Sequence, residues 1–151
     1  MDDDPSGAEA PPFTDETVDA YLRTPVDVVI DGDWVPIREA VGRIGSSLHV
    51  LTAWNPGDER PGAAANRAAN ERLAAAIDAA GGRRWAAMGV APDDSWFEEG
   101  YAVAGLDRDT AVRLARHARQ VAIFEATADE MWLVFCFGEL QPIARTWSER
   151  G

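Results

Sequence analysis

Leu48-His49-Val50-Leu51-Thr52-Ala53-Trp54-Asn55-Pro56, followed by Ala63-Ala64-Ala65-Asn66-Arg67-Ala68-Ala69-Asn70-Glu71-Arg72-Leu73-Ala74-Ala75-Ala76-Ile77, is the stretch on which the fold turns. The first run is apolar and β-prone up to Trp54 and predicts a strand. Asn55 to Gly62, with two prolines and two glycines, predicts a loop. The alanine-rich run 63–80 predicts a helix that Gly81-Gly82 stops. Leu73 and Ile77 mark its buried stripe, with Ala69, Ala76 and Ala80 beside it. At about 100° per residue, Asn66 and Asn70 lie within about 40° of that line. The face turned to the sheet therefore becomes polar toward the helix start. A buried amide left without a partner costs about 1–3 kcal/mol, so both must be hydrogen-bonded. They either pin the preceding loop, with Asn55 reinforcing a turn, or line a polar pocket with Thr52 and Asn55. Asp58 and Glu59 bring negative charge near the helix start, and the loop matches no nucleotide-binding glycine pattern.

Downstream, 84–90 reads as a strand, 91–95 as a turn, and Trp96 or Phe97 through Gly105 as a second strand. Asp107 caps a helix to about Ala118. Runs 121–126 and 131–137 read as strands joined by an acidic turn. From Leu48 to Ala126 the order is β-α-β-β-α-β, the split βαβ or ferredoxin-like pattern. The expected class is α+β, a mostly antiparallel sheet with helices on one face. Upstream, Thr14 or Asp15 caps a helix to about Arg23 that Thr24-Pro25 breaks. A strand 26–30, a turn at Asp31-Gly32-Asp33, Trp34-Val35, and a helix from Pro36 to about Ile44 follow. The division expected is a disordered acidic tail at 1–13, one α+β domain at 14–140, and a C-terminal tail at 141–151 whose Trp147 is an anchor.

Composition narrows the function. With 151 residues, 46% of them hydrophobic, the chain can bury one ordinary core. The formal net charge of −12 repels phosphate backbones and anionic membranes, so neither nucleic acid nor membrane is an expected partner. Residues 1–19 hold seven of the 26 acids and no base. No apolar run approaches the ~20 residues of a membrane span, and Met1-Asp2-Asp3-Asp4 does not resemble a secretory signal. The expected location is the cytoplasm. All 14 basic residues are arginine, which suits a GC-rich genome and removes lysine chemistry. Cys136 is the lone cysteine, and His49 and His117 are the only histidines. No disulfide, metal site or cofactor is expected.

Trp96-Phe97-Glu98-Glu99-Gly100 places a carboxylate beside bulky aromatics, where a raised pKa would suit a general acid or base. The plainer alternative is a strand start at the solvent boundary. Asp93-Asp94 reads as a solvated turn. His117 shares a polar helix face with Arg113 and Arg116; His49 has no acid or nucleophile in view. Cys136, inside Trp132-Leu133-Val134-Phe135-Cys136-Phe137, reads as an inert buried thiol.

The T-A-W-N-P strand end (Thr52 to Pro56) with Asn66, Asn70 and Leu73 resembles the bacterial "domain of unknown function 3293" family. Its further counterparts are Trp96-Phe97-Glu98, Val103-Ala104-Gly105 and Gln120-Val121-Ala122-Ile123, and the resemblance spans roughly 21–135. Gly100 stands where the family often has Ser, and Arg119 where it often has Gly. The resemblance implies a compact α+β domain without an assigned activity, and groups Thr52, Asn55, Asn66, Asn70, Trp96, Glu98 and Gln120. The function expected is a non-enzymatic binding or regulatory module with its polar site at the strand–helix junction and an unknown small molecule or protein as partner. The alternatives are an enzyme with Glu98 as general acid or base and Asn55 or Asn66 orienting substrate, and a protein–protein interaction domain.

Overall fold

The computed structural model describes residues 13–56, 60–91 and 96–147. The expected acidic tail (Phe13 aside), Asp58 and Glu59, and the Asp93-Asp94 turn lie outside the described residues.

Four helices and eight strands alternate along the chain. Helix α1 (Asp15–Arg23) begins at Thr14, whose hydroxyl accepts from the Thr17 N–H. Strands β1 (Val26–Ile30) and β2 (Asp33–Pro36) form a hairpin across the Asp31-Gly32 turn. Helix α2 (Ile37–Ile44) closes on Gly45, which is left-handed at φ 78°. Then come β3 (Leu48–Leu51), α3 (Ala63–Ala79), β4 (Arg83–Val90), β5 (Phe97–Ala104), α4 (Arg108–His117), β6 (Ala122–Ala126), β7 (Met131–Phe135) and β8 (Ile143–Arg145). Asp107 caps α4 by accepting from the Thr110 N–H, as its sequence position implies.

All eight strands join one antiparallel sheet in the order β2-β1-β4-β5-β3-β6-β7-β8. At its middle, β4, β5, β3 and β6 lie side by side, with α3 and α4 as the connections between alternate strands. The sheet extends on both sides of the four-stranded core expected over 48–126, beyond the N-terminal strand predicted, and helices cover both faces rather than one. Side chains alternate along each strand, so the two faces have separate cores. One gathers Leu51, Leu73, Ile77, Val103, Ala111 and Ala115 under α3 and α4. The other gathers Val26, Val28, Ile37, Val41, Leu48 and Ala102 around α2.

The α2 face is concave. Helix α2 touches β1 and β2 at one end of the sheet and also β6, three strands beyond β4. The Arg145 guanidinium on β8 donates to the carbonyls of Tyr21 (2.6 Å) and Thr24 (2.9 Å), tying the last strand to the α1–β1 hinge. Burial lowers the Arg145 pKa to about 10, and its charge lies 5.0 Å from the centre of the Phe124 ring. The segment 141–147, expected as a tail, therefore belongs to the domain. Trp147 packs against the concave core with the Arg38 guanidinium 5.6 Å above its ring.

Gly100 is required by its surroundings. A Cβ there would collide with the Leu51 carbonyl oxygen and lie 2.9 Å from Thr52 Cβ. Gly100→Ala is expected to cost about 2 kcal/mol or more and lower the melting midpoint by roughly 4–8 °C. A Cβ on Gly42, within α2, meets nothing within 4 Å. Gly42→Ala should raise the midpoint, because alanine is the better helix former by about 1 kcal/mol. Thermal unfolding of the two variants checks both signs.

Candidate functional site

β3 and β5 run in register to the pair Leu51↔Tyr101. Beyond it the ladder is replaced. The Asn70 side chain enters between the strands: its Oδ1 accepts from the Ala53 N–H (2.8 Å) and its Nδ2 donates to the Glu99 carbonyl (2.9 Å). One side-chain amide thus occupies the position of a peptide unit, with a donor and an acceptor presented as a strand would present them. The Thr52 hydroxyl donates to the same Glu99 carbonyl (2.6 Å) and accepts from the Trp54 N–H (3.0 Å).

One turn earlier on α3, Asn66 holds the next residue of the loop. Its Oδ1 accepts from the Asn55 N–H (2.9 Å), and its Nδ2 donates to the Asn55 Oδ1 (2.8 Å). Asn55 adopts φ 46°, a left-handed conformation that asparagine tolerates better than other side chains with a Cβ. From the opposite side, the Gln120 Nε2 donates to the Trp54 carbonyl (3.3 Å). Of the two readings open for Asn66 and Asn70, the amides are engaged with the chain itself. They pin the segment 53–55 and the edge of β5.

Glu98, Thr52, Trp96 and Gln120 line a cavity of about 50 Å³ on the concave side, floored by apolar groups that include Val50, Phe124 and Leu133. Tyr21 and Thr24 of the α1–β1 hinge close its other wall. Asn55, Asn66 and Asn70 are not among its lining residues. Along β5 the even residues Glu98, Gly100 and Ala102 share the concave face, whereas Tyr101 and Val103 face α3. The sheet therefore stands between Glu98 and the asparagines, and they do not share a cleft.

No described residue donates a hydrogen bond to the Glu98 carboxyl group. Its desolvation among apolar neighbours pushes its pKa up to about 7, against the opposing pull of Arg60. Tyr21, deep in the same cavity, has its phenol pKa raised by burial and then by the Glu98 charge. Cys136, at the far side of the sheet, is buried and its thiol pKa is pushed up to about 12, consistent with an unreactive core cysteine.

Sequence inspection missed a second polar cluster. His49, buried at the start of β3, has its Nε2 2.8 Å from Glu125 Oε1. Arg108, in the first turn of α4, grips the same carboxylate with its Nε (3.0 Å) and Nη2 (2.5 Å). The Arg108 bonds, then that of His49, hold the Glu125 pKa below its usual 4.5. His49 and Glu125 are 76 residues apart and meet only because β3 pairs with β6. Among the described residues, no group of three or more His, Cys, Asp and Glu could hold a metal ion, and no helix is long and apolar enough to cross a membrane.

Asn70→Ala strips the Ala53 N–H of its partner and leaves the Glu99 carbonyl with Thr52 alone, and is expected to destabilise by about 2–3 kcal/mol, read as a fall in the urea midpoint. For Glu125 the depressed pKa contributes stability that is present above about 4.5 and is lost as pH falls through the lower folded value. Glu125→Gln should melt below the parent at neutral pH, with the gap narrowing as the pH falls below about 4.5 toward the lower folded value.

No curated protein and no solved structure matches the chain. Residues 51–123, from the end of β3 through the asparagine helix to the start of β6, match the model of the family described as "Protein of unknown function (DUF3293)", and over that span the chain is similar to this family.

Proposed function

We propose that this domain binds small molecules, taking a cationic head group into the concave cavity against Glu98. The observation that carries this reading is a carboxyl group turned into an apolar cavity without a hydrogen bond from any described residue. Buried carboxylates are ordinarily paired, and a cation supplies the missing partner. The cavity walls add Tyr21, Trp96 and Phe124, whose ring faces attract cations. The net charge of −12 favours the approach of positive ligands. Arg60 already lowers the Glu98 pKa from the loop side, and a bound ammonium would act in the same direction. At about 50 Å³ the cavity admits a head group and not a large molecule, so the body of a longer ligand would lie over Trp96, which is exposed at the mouth.

Titration calorimetry with ethylammonium tests this. Binding should strengthen as pH rises through about 7, because only ionised Glu98 attracts the cation. Glu98→Gln should weaken it at least about tenfold, the loss of one charge-assisted hydrogen bond. Equal affinity in Glu98→Gln, or affinity indifferent to pH, would overturn the reading.

Enzymatic proton transfer is a second reading, favoured by a carboxyl group whose pKa lies near neutrality in an enclosed site. Thr52 and Gln120, rather than Asn55 and Asn66, would then be the polar neighbours of the substrate.

Stability offers an independent check on Glu98. Its folded pKa is raised above the unfolded 4.5, so its contribution is full below that value and is lost as pH rises through about 7. Glu98→Gln is expected to melt higher than the parent above neutral pH, the difference vanishing toward about 4.5. A variant that melts lower at every pH would show that the carboxylate is needed by the fold.

A further inference from the structure

We infer that the groove between α3 and α4 binds an amphipathic organic anion, a carboxylate attached to an apolar body. The groove lies on the face of the sheet away from Glu98 and does not depend on the concave cavity. Both helices cross this face, but α3 meets α4 with Ala69, Ala76 and Ala80, which are too short to close the gap. The space left is about 740 Å³, within the ~300–1,000 Å³ range of small-molecule sites. Its floor is apolar, with Ala53 and Leu73 buried beneath and Leu114 and Ala118 on the far wall.

The rim has one sign of charge. Arg72 from α3 and Arg113, His117 and Arg119 from α4 and its end all line the groove, and among the described residues no acid does. This is unexpected in a chain with 26 acids to 14 bases. Arg43, Arg84 and Arg108 each sit within 4.0 Å of a carboxylate, whereas none of the four groove residues forms an ion pair with a described residue. The helix dipole accounts for a basic residue in the last turn of α4. It does not account for Arg113, in mid-helix, or for Arg72 on a different helix facing the same gap. Four bases with no ion pair to a described residue, set around an apolar trough, match a ligand with an anionic head and an apolar tail: guanidinium groups grip a carboxylate through paired N–H donors, and the alanine floor accepts the chain.

Decanoate is the probe. Titration calorimetry on the full chain should show binding that weakens as salt is raised. Arg113→Gln with His117→Gln, both at exposed positions, should lower affinity at least about tenfold while leaving the melting curve unchanged. Ala76→Leu, which fills the trough with a residue of good helix propensity, should abolish binding even at low salt. Decanoate failing to bind, or binding equally well to both groove variants, overturns the proposal. Loss of binding in Glu98→Gln with the groove variants intact would assign the acid to the concave cavity and overturn it as well. Self-association of the chain that Ala76→Leu disrupts, in place of decanoate binding, would identify a second copy as the occupant and refute the small-molecule assignment.

Discussion

A single side-chain amide, that of Asn70, sets the shape of this domain where its two central strands part. It stands between Ala53 and Glu99 and supplies each with the partner that the other would have supplied in a continuous ladder. The strands separate by the width of that amide, and the Ala53 N–H and the Glu99 carbonyl stay hydrogen-bonded. Below the wedge, β3 and β5 are so close that Gly100 has no room for a Cβ. Above it, the chain leaves the sheet through Trp54 and Asn55.

The chain's other inward charges show how a fold tolerates them. Arg145 spends its donors on the Tyr21 and Thr24 carbonyls, and Glu125 collects bonds from His49 and Arg108. In both cases desolvation is offset by bonds from several elements, and each cluster ties distant parts of the chain together. Arg145 joins the last strand to the first helix, holding the curl of the sheet. Glu98 differs because its neighbours are apolar, and its pKa near 7 is the consequence.

The two faces of the sheet offer opposite chemistry. The concave side presents a carboxyl group within aromatic walls; the helical side presents arginines around an alanine trough. The asparagines of α3 hold the segment 53–55 and the edge of β5, and its alanines leave the trough unfilled.

Much of this was legible in the residues themselves. Apolar periodicity, Gly81-Gly82, Asp107 and the Asp31-Gly32 turn mark the elements, because local sterics and hydrogen bonding decide them. The stripe Asn66-Asn70-Leu73-Ile77 announced buried amides in need of partners, since helical geometry aligns residues three and four apart. Which partners they found on the chain depended on where β5 and the loop lie, which no local rule encodes. The second face of the sheet, the addition of β8, the meeting of His49 with Glu125 across 76 residues, and the enclosure of Glu98 by Tyr21 were likewise decided by tertiary structure alone. Period and capping act within a few residues. Curvature and burial are sums over the whole sheet, and they turned Glu98 from a residue at a strand start into one that faces a cavity.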